Sequence, residues 1–244
     1  MDAIKIRGLK KEYKDVIAVD EIDLDIQEGE LFALLGVNGA GKTTLIKMLS
    51  TLTKPTGGDA WISGYSIRSE EKKIREIIDV SMQETAIARR LTVEENIVFY
   101  ASLHGQSKPG IEKTKQKAYD VFGLDSVKNK RAEKLSGGWQ RKLSIALALV
   151  SNPKVLFLDE PTISLDVIAR RELWETIRSL KGKMTMILTT HYMEEAEELA
   201  DRIGIMKDGK LLFVGSKDVL FRQTGKNSVE DAFITIVSGG KTDA

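Results

Sequence analysis

The chain has 244 residues, 42% apolar and 30% charged, with 37 Lys and Arg against 36 Asp and Glu and no cysteine. This composition excludes a disordered chain and fits one large domain or two small ones. A net charge of +1 gives no support to a bulk electrostatic partner such as nucleic acid or an anionic membrane. Without cysteine there are no disulfides, thiolate zinc sites, iron–sulfur clusters or cysteine nucleophiles. The segment MDAIKIRGLK carries charges throughout, unlike a secretory apolar region. The longest clearly apolar run, near Leu143–Val150, falls far short of the ~20 residues that span a bilayer. The expectation is a soluble chain, with any membrane spans supplied by another.

In chain order, residues 4–35 read as strands. Ile22-Asp23-Leu24-Asp25-Ile26 alternates as a strand with one buried face does. Leu31–Leu35 is a continuous apolar run, suited to a strand buried on both faces. A glycine-rich break over 36–42 follows, then helical spacing over 43–50. After a turn at 54–58, strands are expected at 60–65 and 77–82. From about Glu84 to Lys134 the pattern is helical, with Thr92-Val93-Glu94-Glu95 as a capping box and Ser107-Lys108-Pro109-Gly110 as a break. A helix to Val150, a buried strand at 155–158, a helix at 168–180 and a strand at 185–189 come next. A helix at 193–199 precedes two strands, 203–206 and 211–214, joined at Asp208-Gly209. The Gly-rich tail from Ser238 reads as loose.

Gly36-Val37-Asn38-Gly39-Ala40-Gly41-Lys42-Thr43-Thr44 matches G-x-x-x-x-G-K-[ST] between a buried strand and a helix. Gly39 and Gly41 allow backbone conformations that aim several N–H groups into one concavity. The following helix adds the positive end of its dipole. Lys42 can bridge β- and γ-phosphate oxygens, and the Thr43 hydroxyl can ligate Mg²⁺.

The strand at 155–158 runs into Asp159-Glu160. Parallel sheets bind ligands at the carboxyl ends of their strands. An isolated Asp-Glu pair there is normally a solvated edge. Beside a phosphate loop, Asp159 reads as the Mg²⁺ holder and Glu160 as the group that orients or deprotonates the attacking water. Leu135-Ser136-Gly137-Gly138 opens a further helix. Ser136 is a good N-cap. Two glycines in a first turn cost on the order of 1 kcal/mol each against alanine, so this local rule-breaking points to function. Bare N–H groups at a helix start make a second anion site. Spacing leaves open whether both sites grip one nucleotide within a chain or across two.

The order of these motifs resembles the ATP-binding subunit of an ABC transporter, over residues from about 3 to 236. LSGGWQRKLSIALAL resembles that family's signature, and VLFLDEPTISLD its Walker B strand and D-loop. The resemblance implies an α/β P-loop NTPase fold: a RecA-like parallel core, an N-terminal antiparallel β subdomain and an inserted helical subdomain. It implies one ABC ATPase domain over 1–236. The β-lobe and core occupy 1–83 and 150–215, the helical signature part 84–149, a C-terminal helical segment 216–236 and a flexible tail 237–244.

By the same resemblance, Tyr13 stacks on adenine. Gln83 is the Q-loop glutamine that senses Mg²⁺ and lytic water. Asp166 belongs to the D-loop and His191 is the switch histidine. Two subunits pack head to tail, so Ser136, Gly137 and Gly138 touch the γ-phosphate bound by the partner's Gly36 to Thr44. Trp139 stands where the family often has Gln, which removes a side-chain amide but keeps the Ser136 hydroxyl and the glycine N–H groups. Ile163 replaces a usually smaller residue before Ser164. A helix of a separate transmembrane subunit docks beside the Q-loop, with Ala86–Leu91 lining that groove.

The implied function is a Mg-dependent ATPase, peripheral on the inner face of the cell membrane. It binds ATP and Mg²⁺, pairs with a second nucleotide-binding domain and does not bind nucleic acid. HYMEEAEELADRIGIMKDGKLLFVG and VEDAFITI resemble exporter subunits of the ABC-2 type, which handle drugs, lipids, polysaccharides or peptides. The alternatives are an importer ATPase, a soluble ABC ATPase acting on ribosomes or DNA, and a plain P-loop phosphotransferase. A single cassette without heptads or basic excess argues against the soluble type. The signature argues against the phosphotransferase.

Overall fold

The computed structural model describes residues 2–239. The last residues of the Gly-rich tail lie outside them. The chain begins with two long strands, β1 (Asp2–Tyr13) and β2 (Val16–Gln27), followed by β3 (Leu31–Leu35), α1 (Lys42–Leu49), β4 (Gly57–Ile62) and β5 (Tyr65–Ser66). After α2 (Glu71–Arg75) and β6 (Ile78–Ser81) come α3 (Val93–Leu103), α4 (Lys108–Phe122) and α5 (Gly137–Ala148). Then follow β7 (Val155–Asp159), α6 (Val167–Leu180), β8 (Thr185–Thr190) and α7 (Met193–Leu199). β9 (Arg202–Lys207), β10 (Lys210–Gly215), α8 (Lys217–Thr224) and α9 (Val229–Val237) complete the order.

Two sheets result. A four-stranded antiparallel sheet runs β2-β1-β4-β5, and a six-stranded sheet runs β10-β9-β3-β8-β7-β6. In the second, β9, β3, β8, β7 and β6 are mutually parallel, and β10 closes one edge as a hairpin. The fold is therefore α/β with a separate antiparallel layer. Every residue of β3, β7 and β8 is buried. That is why these segments carry unbroken apolar or small-residue runs. β2 instead buries Ile22, Leu24 and Ile26 and turns Asp23 to water.

The parallel sheet has a core on each face. On one side Leu31, Leu156 and Leu188 pack beneath Ile97, Phe122 and Leu143 of the helical part. On the other, Phe32 and Phe157 pack with Ile46 of α1 and with Ile4 and Ile6 of the antiparallel sheet. A smaller cluster joins Ile203 and Ile205 to Leu220, Val229 and Phe233 of the C-terminal helices. Truncating a fully buried ring such as Phe157 costs about 3–5 kcal/mol.

Several elements differ from the sequence expectation. The strand expected over 60–65 is a hairpin, because Ser63 and Gly64 both take positive φ (48° and 84°) and reverse the chain. The short α2 carries no clear amphipathic pattern and was not expected. The helical stretch begins at Val93 rather than near Glu84, since residues 83–92 belong to no helix or strand. Its start is the capping box: Glu95 N–H donates to Thr92 Oγ1 at 3.2 Å and Thr92 N–H to Glu95 Oε2 at 2.7 Å. Pro109 and Gly110 lie inside the first turn of α4, where proline's missing N–H costs nothing. Of the segment expected to line a groove beside Gln83, Ala86 does line one, with Met82, Tyr100 and Ser144. Ile87 instead packs on the helical core. Among the described residues no helix is long and apolar enough to cross a membrane.

Candidate nucleotide-binding site

β3 delivers the chain to Gly36, and α1 takes it away from Lys42. Between them Gly39 and Gly41 adopt φ of 82° and 106°. A Cβ at Gly41 would run into the Ala18 carbonyl and lie 2.6 Å from Met206 Cε, so conformation and space both demand glycine. The first bond inside α1 is Leu45 N–H to Gly41 O at 2.9 Å. The N–H groups of Lys42, Thr43 and Thr44 thus have no carbonyl ahead of them in the helix. They face the cleft, with the helix dipole behind them.

Lys42 is only 5% exposed. Its Nζ donates to Gly36 O at 2.7 Å and Val37 O at 3.2 Å, and it lies 3.9 Å from Glu160 Oε1. Burial pulls its pKa below the ordinary lysine value, while the charges of Glu160 and Asp159 push the other way. The negative charge of an arriving phosphate would favour the ammonium and offset that desolvation.

Asp159 ends β7 and is 1% exposed. Its Oδ1 accepts from Thr189 Oγ1 of β8 and from Thr43 Oγ1 at 3.3 Å. These are hard oxygen donors. Among the described residues no group of three or more His, Asp or Glu forms a closed cage. Few protein ligands and an open outer side suit Mg²⁺ completed by phosphate and water. The donor set fits the metal that the family implies.

Glu160 turns into the cleft because its backbone is left-handed, at φ 47°. That conformation is uncommon for a non-glycine residue and costs on the order of 1 kcal/mol or more. It is held by Glu160 N–H, which donates to Thr189 O at 3.0 Å and Thr189 Oγ1 at 3.1 Å. The Glu160 carboxylate, 12% exposed, meets His191 Nδ1 at 3.0 Å through Oε2. His191 follows β8, and its ring lies 4.2 Å from that of Tyr192, whose ring centroid is also 4.3 Å from the Arg170 guanidinium. A carboxylate pinned between a lysine and a histidine at the end of a parallel strand can hold a water for attack on a phosphate.

These groups line a single open cleft of about 540 Å³, which includes Asn38, Gly39, Ala40, Gly41, Lys42, Thr43, Thr44, Gln83, Glu160 and His191. Gly36 and Asp159 support it from beneath. Tyr13 stands at the end of β1, 45% exposed, and Lys11 Nζ sits 4.7 Å over its ring. Its cross-strand partner Val16 lines the cleft together with Ile17 and Ala18. The sequence reading missed this wall. Its signal is that Val16 and Ile17 are apolar residues left exposed at a hairpin. Thr189 was also missed, although it orients both acidic residues.

Ser136, Gly137, Gly138 and Asp166 do not line this cleft. Ser136 occupies the N-cap position of α5, but its hydroxyl makes no capping bond. The Asp166 carboxylate caps α6, accepting from Ala169 N–H at 2.9 Å. A Cβ at Gly138 would approach Ala169 Cβ to 3.0 Å, so close packing of α5 on α6 explains that glycine. At Gly137 a Cβ would meet only Leu165 Cδ2 at an ordinary 3.7 Å. Packing within the chain does not require glycine there.

The model of the ABC transporter family matches residues 19–163, more than half of the chain. The daunorubicin/doxorubicin resistance ATP-binding protein DrrA of Streptomyces peucetius is 38% identical over 226 residues, covering 92% of this chain and 68% of that one. The chain belongs to the ABC transporter family. It is an ABC ATPase domain. The human phospholipid-transporting ATPase ABCA3 is 42% identical over 226 residues, which cover 91% of this chain but 13% of that protein. The cassette thus spans a small part of that relative's length. Among solved structures, an ATP-binding subunit of an ABC transporter superposes with a TM-score of 0.85 at 26% identity, covering 96% of this chain and 99% of that one. A dimeric ATP-binding cassette, MJ0796, in a post-hydrolysis state bound to ADP and Pi, superposes at 0.78 with 27% identity, covering 87% and 98%.

Proposed function

We propose that this cassette is a Mg-dependent ATPase that powers a separate membrane-spanning subunit exporting an amphipathic substrate. The observation that carries the reading is the Glu160 carboxylate, fixed between His191 and Lys42 at the mouth of a phosphate-binding loop. The N–H groups over Gly39–Thr44 bind the phosphates. Lys42 leaves the Gly36 and Val37 carbonyls for β- and γ-phosphate oxygens. Thr43 and Asp159 would hold Mg²⁺, with Gln83 beside them, and when bound the metal neutralises phosphate charge. Glu160 orients the attacking water and accepts its proton, and His191 keeps that carboxylate in place and faces the γ-phosphate. Tyr13 and Val16 offer an apolar platform to the base.

A second cassette completes the site. Its Ser136 hydroxyl and the N–H groups of Gly137 and Gly138 approach the γ-phosphate, and its Asp166 turn packs alongside. ATP then binds both halves only when they are closed, which supplies the differential affinity that a conformational cycle needs. Hydrolysis removes the bridging phosphate and reopens them. DrrA is described by resistance to daunorubicin and doxorubicin and ABCA3 by phospholipid transport. Both descriptions favour an exporter of drug-like or lipid-like molecules, with this chain peripheral on the cytoplasmic face.

The test is to purify tagged Glu160→Gln from its native membranes with ATP and Mg²⁺. A stoichiometric multi-spanning protein is the expected companion. Ribosomes or DNA-associated proteins without a membrane chain would overturn the transport reading.

A further inference from the structure

Arg141 stands out among the charged groups that the site does not use. It lies on α5, five residues after Ser136, and is 4% exposed. Its guanidinium enters no ion pair among the described residues. Nη1 donates to Met82 O at 2.7 Å and Nη2 to Gln83 O. Burial lowers its pKa from the ordinary arginine value, against the opposing fields of Asp159 and Glu195. Taking a guanidinium out of water is expensive, and two neutral backbone carbonyls repay it only through good geometry. A planar fork matches two successive carbonyls in a way that a lysine ammonium does not.

What the fork grips is informative. Residues 83–92 belong to no helix or strand, so the carbonyl of Gln83 has no ladder to fix it. The Gln83 side chain lines the nucleotide cleft. One turn further along α5, Ser144 Oγ reaches Ser81 Oγ at 3.5 Å, so the same helix also touches the end of β6. The helix that begins at the Ser136–Gly138 end is therefore fastened directly to the loop that carries Gln83.

We propose that Arg141 is a positioning residue that couples engagement of the Ser136–Gly138 end to the placement of Gln83 in the cleft. When the start of α5 is drawn toward a nucleotide, the fork moves the Gln83 backbone with it. Arg141 acts through Gln83 and touches neither nucleotide nor metal. This inference rests on the ATPase reading above.

The test uses the full chain as wild type, Arg141→Met, Arg141→Lys, Gln83→Ala and the Arg141→Met/Gln83→Ala double variant. Steady-state ATPase is measured over a range of ATP, with ATP affinity measured by equilibrium titration. Arg141→Met is expected to lower kcat about tenfold, as small misplacements do, and to leave ATP affinity within about twofold. Arg141→Lys, with one compact donor for two carbonyls, falls between. In the double variant the Arg141 change adds less than about twofold to the loss from Gln83→Ala, because both remove one function. A kcat for Arg141→Met near wild type overturns the proposal. So do losses that multiply in the double variant, the result expected if Arg141 merely packs α5. Should Arg141→Met not fold, Arg141→Lys is read in the same cycle against the same criterion. A wild-type chain without ATPase would sink the parent reading together with this one. An active wild type with multiplying losses sinks this one alone.

Discussion

Two helices in this cassette begin on glycine, and they differ in almost everything else. At α1 the glycine conformation is imposed from outside: Gly41 is left-handed and walled by Ala18 and Met206. The lysine beside it is buried, His191 bonds the Glu160 carboxylate, and Thr43 and Thr189 bond that of Asp159. At α5 the chain opens outward. Ser136 and Gly137 are exposed, the Ser136 hydroxyl caps nothing, and the glycine at 137 answers to no neighbour. The first helix start is a nearly complete site. The second has donors and no reason within the chain for its most exposed glycine. Under the proposed function, a head-to-tail partner cassette would bring to this helix start the ligand that its own chain does not.

The comparison can be broken at either end. The largest effect is expected at Glu160. Glu160→Gln should lower turnover by ~10²-fold or more while ATP still binds. Normal hydrolysis by that variant, in a phosphate-release assay, would remove Glu160 from its role. Next comes Lys42→Ala, which takes away a charge-assisted contact and should weaken ATP binding by roughly tenfold or more in an equilibrium titration. Unchanged affinity would contradict the cradle.

A matched pair separates the glycines of α5. Gly138→Ala pushes a methyl against Ala169 and should cost about 1 kcal/mol of stability by thermal or urea denaturation. Gly137→Ala meets only Leu165 Cδ2 at an ordinary contact distance, so its stability should stay within about 1 kcal/mol of wild type or rise, as helix propensity favours alanine. Its ATPase should nonetheless fall. Undiminished activity in Gly137→Ala would leave that glycine unexplained.

The smallest effect concerns pH. Glu195, in the first turn of α7, is fully buried and accepts from Trp174 Nε1 at 3.1 Å. Burial raises its pKa above the ordinary glutamate value, against the bond it receives from Trp174. The folded state therefore holds this proton more tightly than the unfolded chain does. The resulting stability is full below the unfolded pKa and is lost as pH rises through the folded one. Glu195→Gln keeps the acceptor for Trp174 and removes the titration. Its Tm should fall less than that of wild type between pH 5 and pH 8, and parallel curves would refute the assignment.

Much of the architecture was legible because the parallel strands are buried on both faces and must read as unbroken apolar runs, as at Leu31–Leu35 and Val155–Leu158. The phosphate loop was legible for a different reason: strand, glycine spacing, Lys42 and Thr43 are contiguous. What stayed hidden depends on distant pairings. Ser63-Gly64 splits an apparently continuous strand by positive φ, which a hydrophobic pattern does not encode. Val16 and Ile17 resemble ordinary strand residues until the hairpin sets them against the loop. Thr189 joins Asp159 and Glu160 only through the register of β7 on β8. Arg141 looks like one more basic residue on an amphipathic helix, and its two carbonyl partners lie almost sixty positions away.

The measurement that tests the central claim most directly is ATP-dependent pairing of the hydrolysis-deficient chain, followed by light scattering. Glu160→Gln should shift from monomer to dimer on addition of ATP. Adding Gly137→Asp, which sets a carboxylate against the incoming phosphate, should leave ATP binding to the single chain intact and abolish the dimer. A dimer that forms undiminished with Asp at 137 would mean that the α5 end does not complete the site of a second chain.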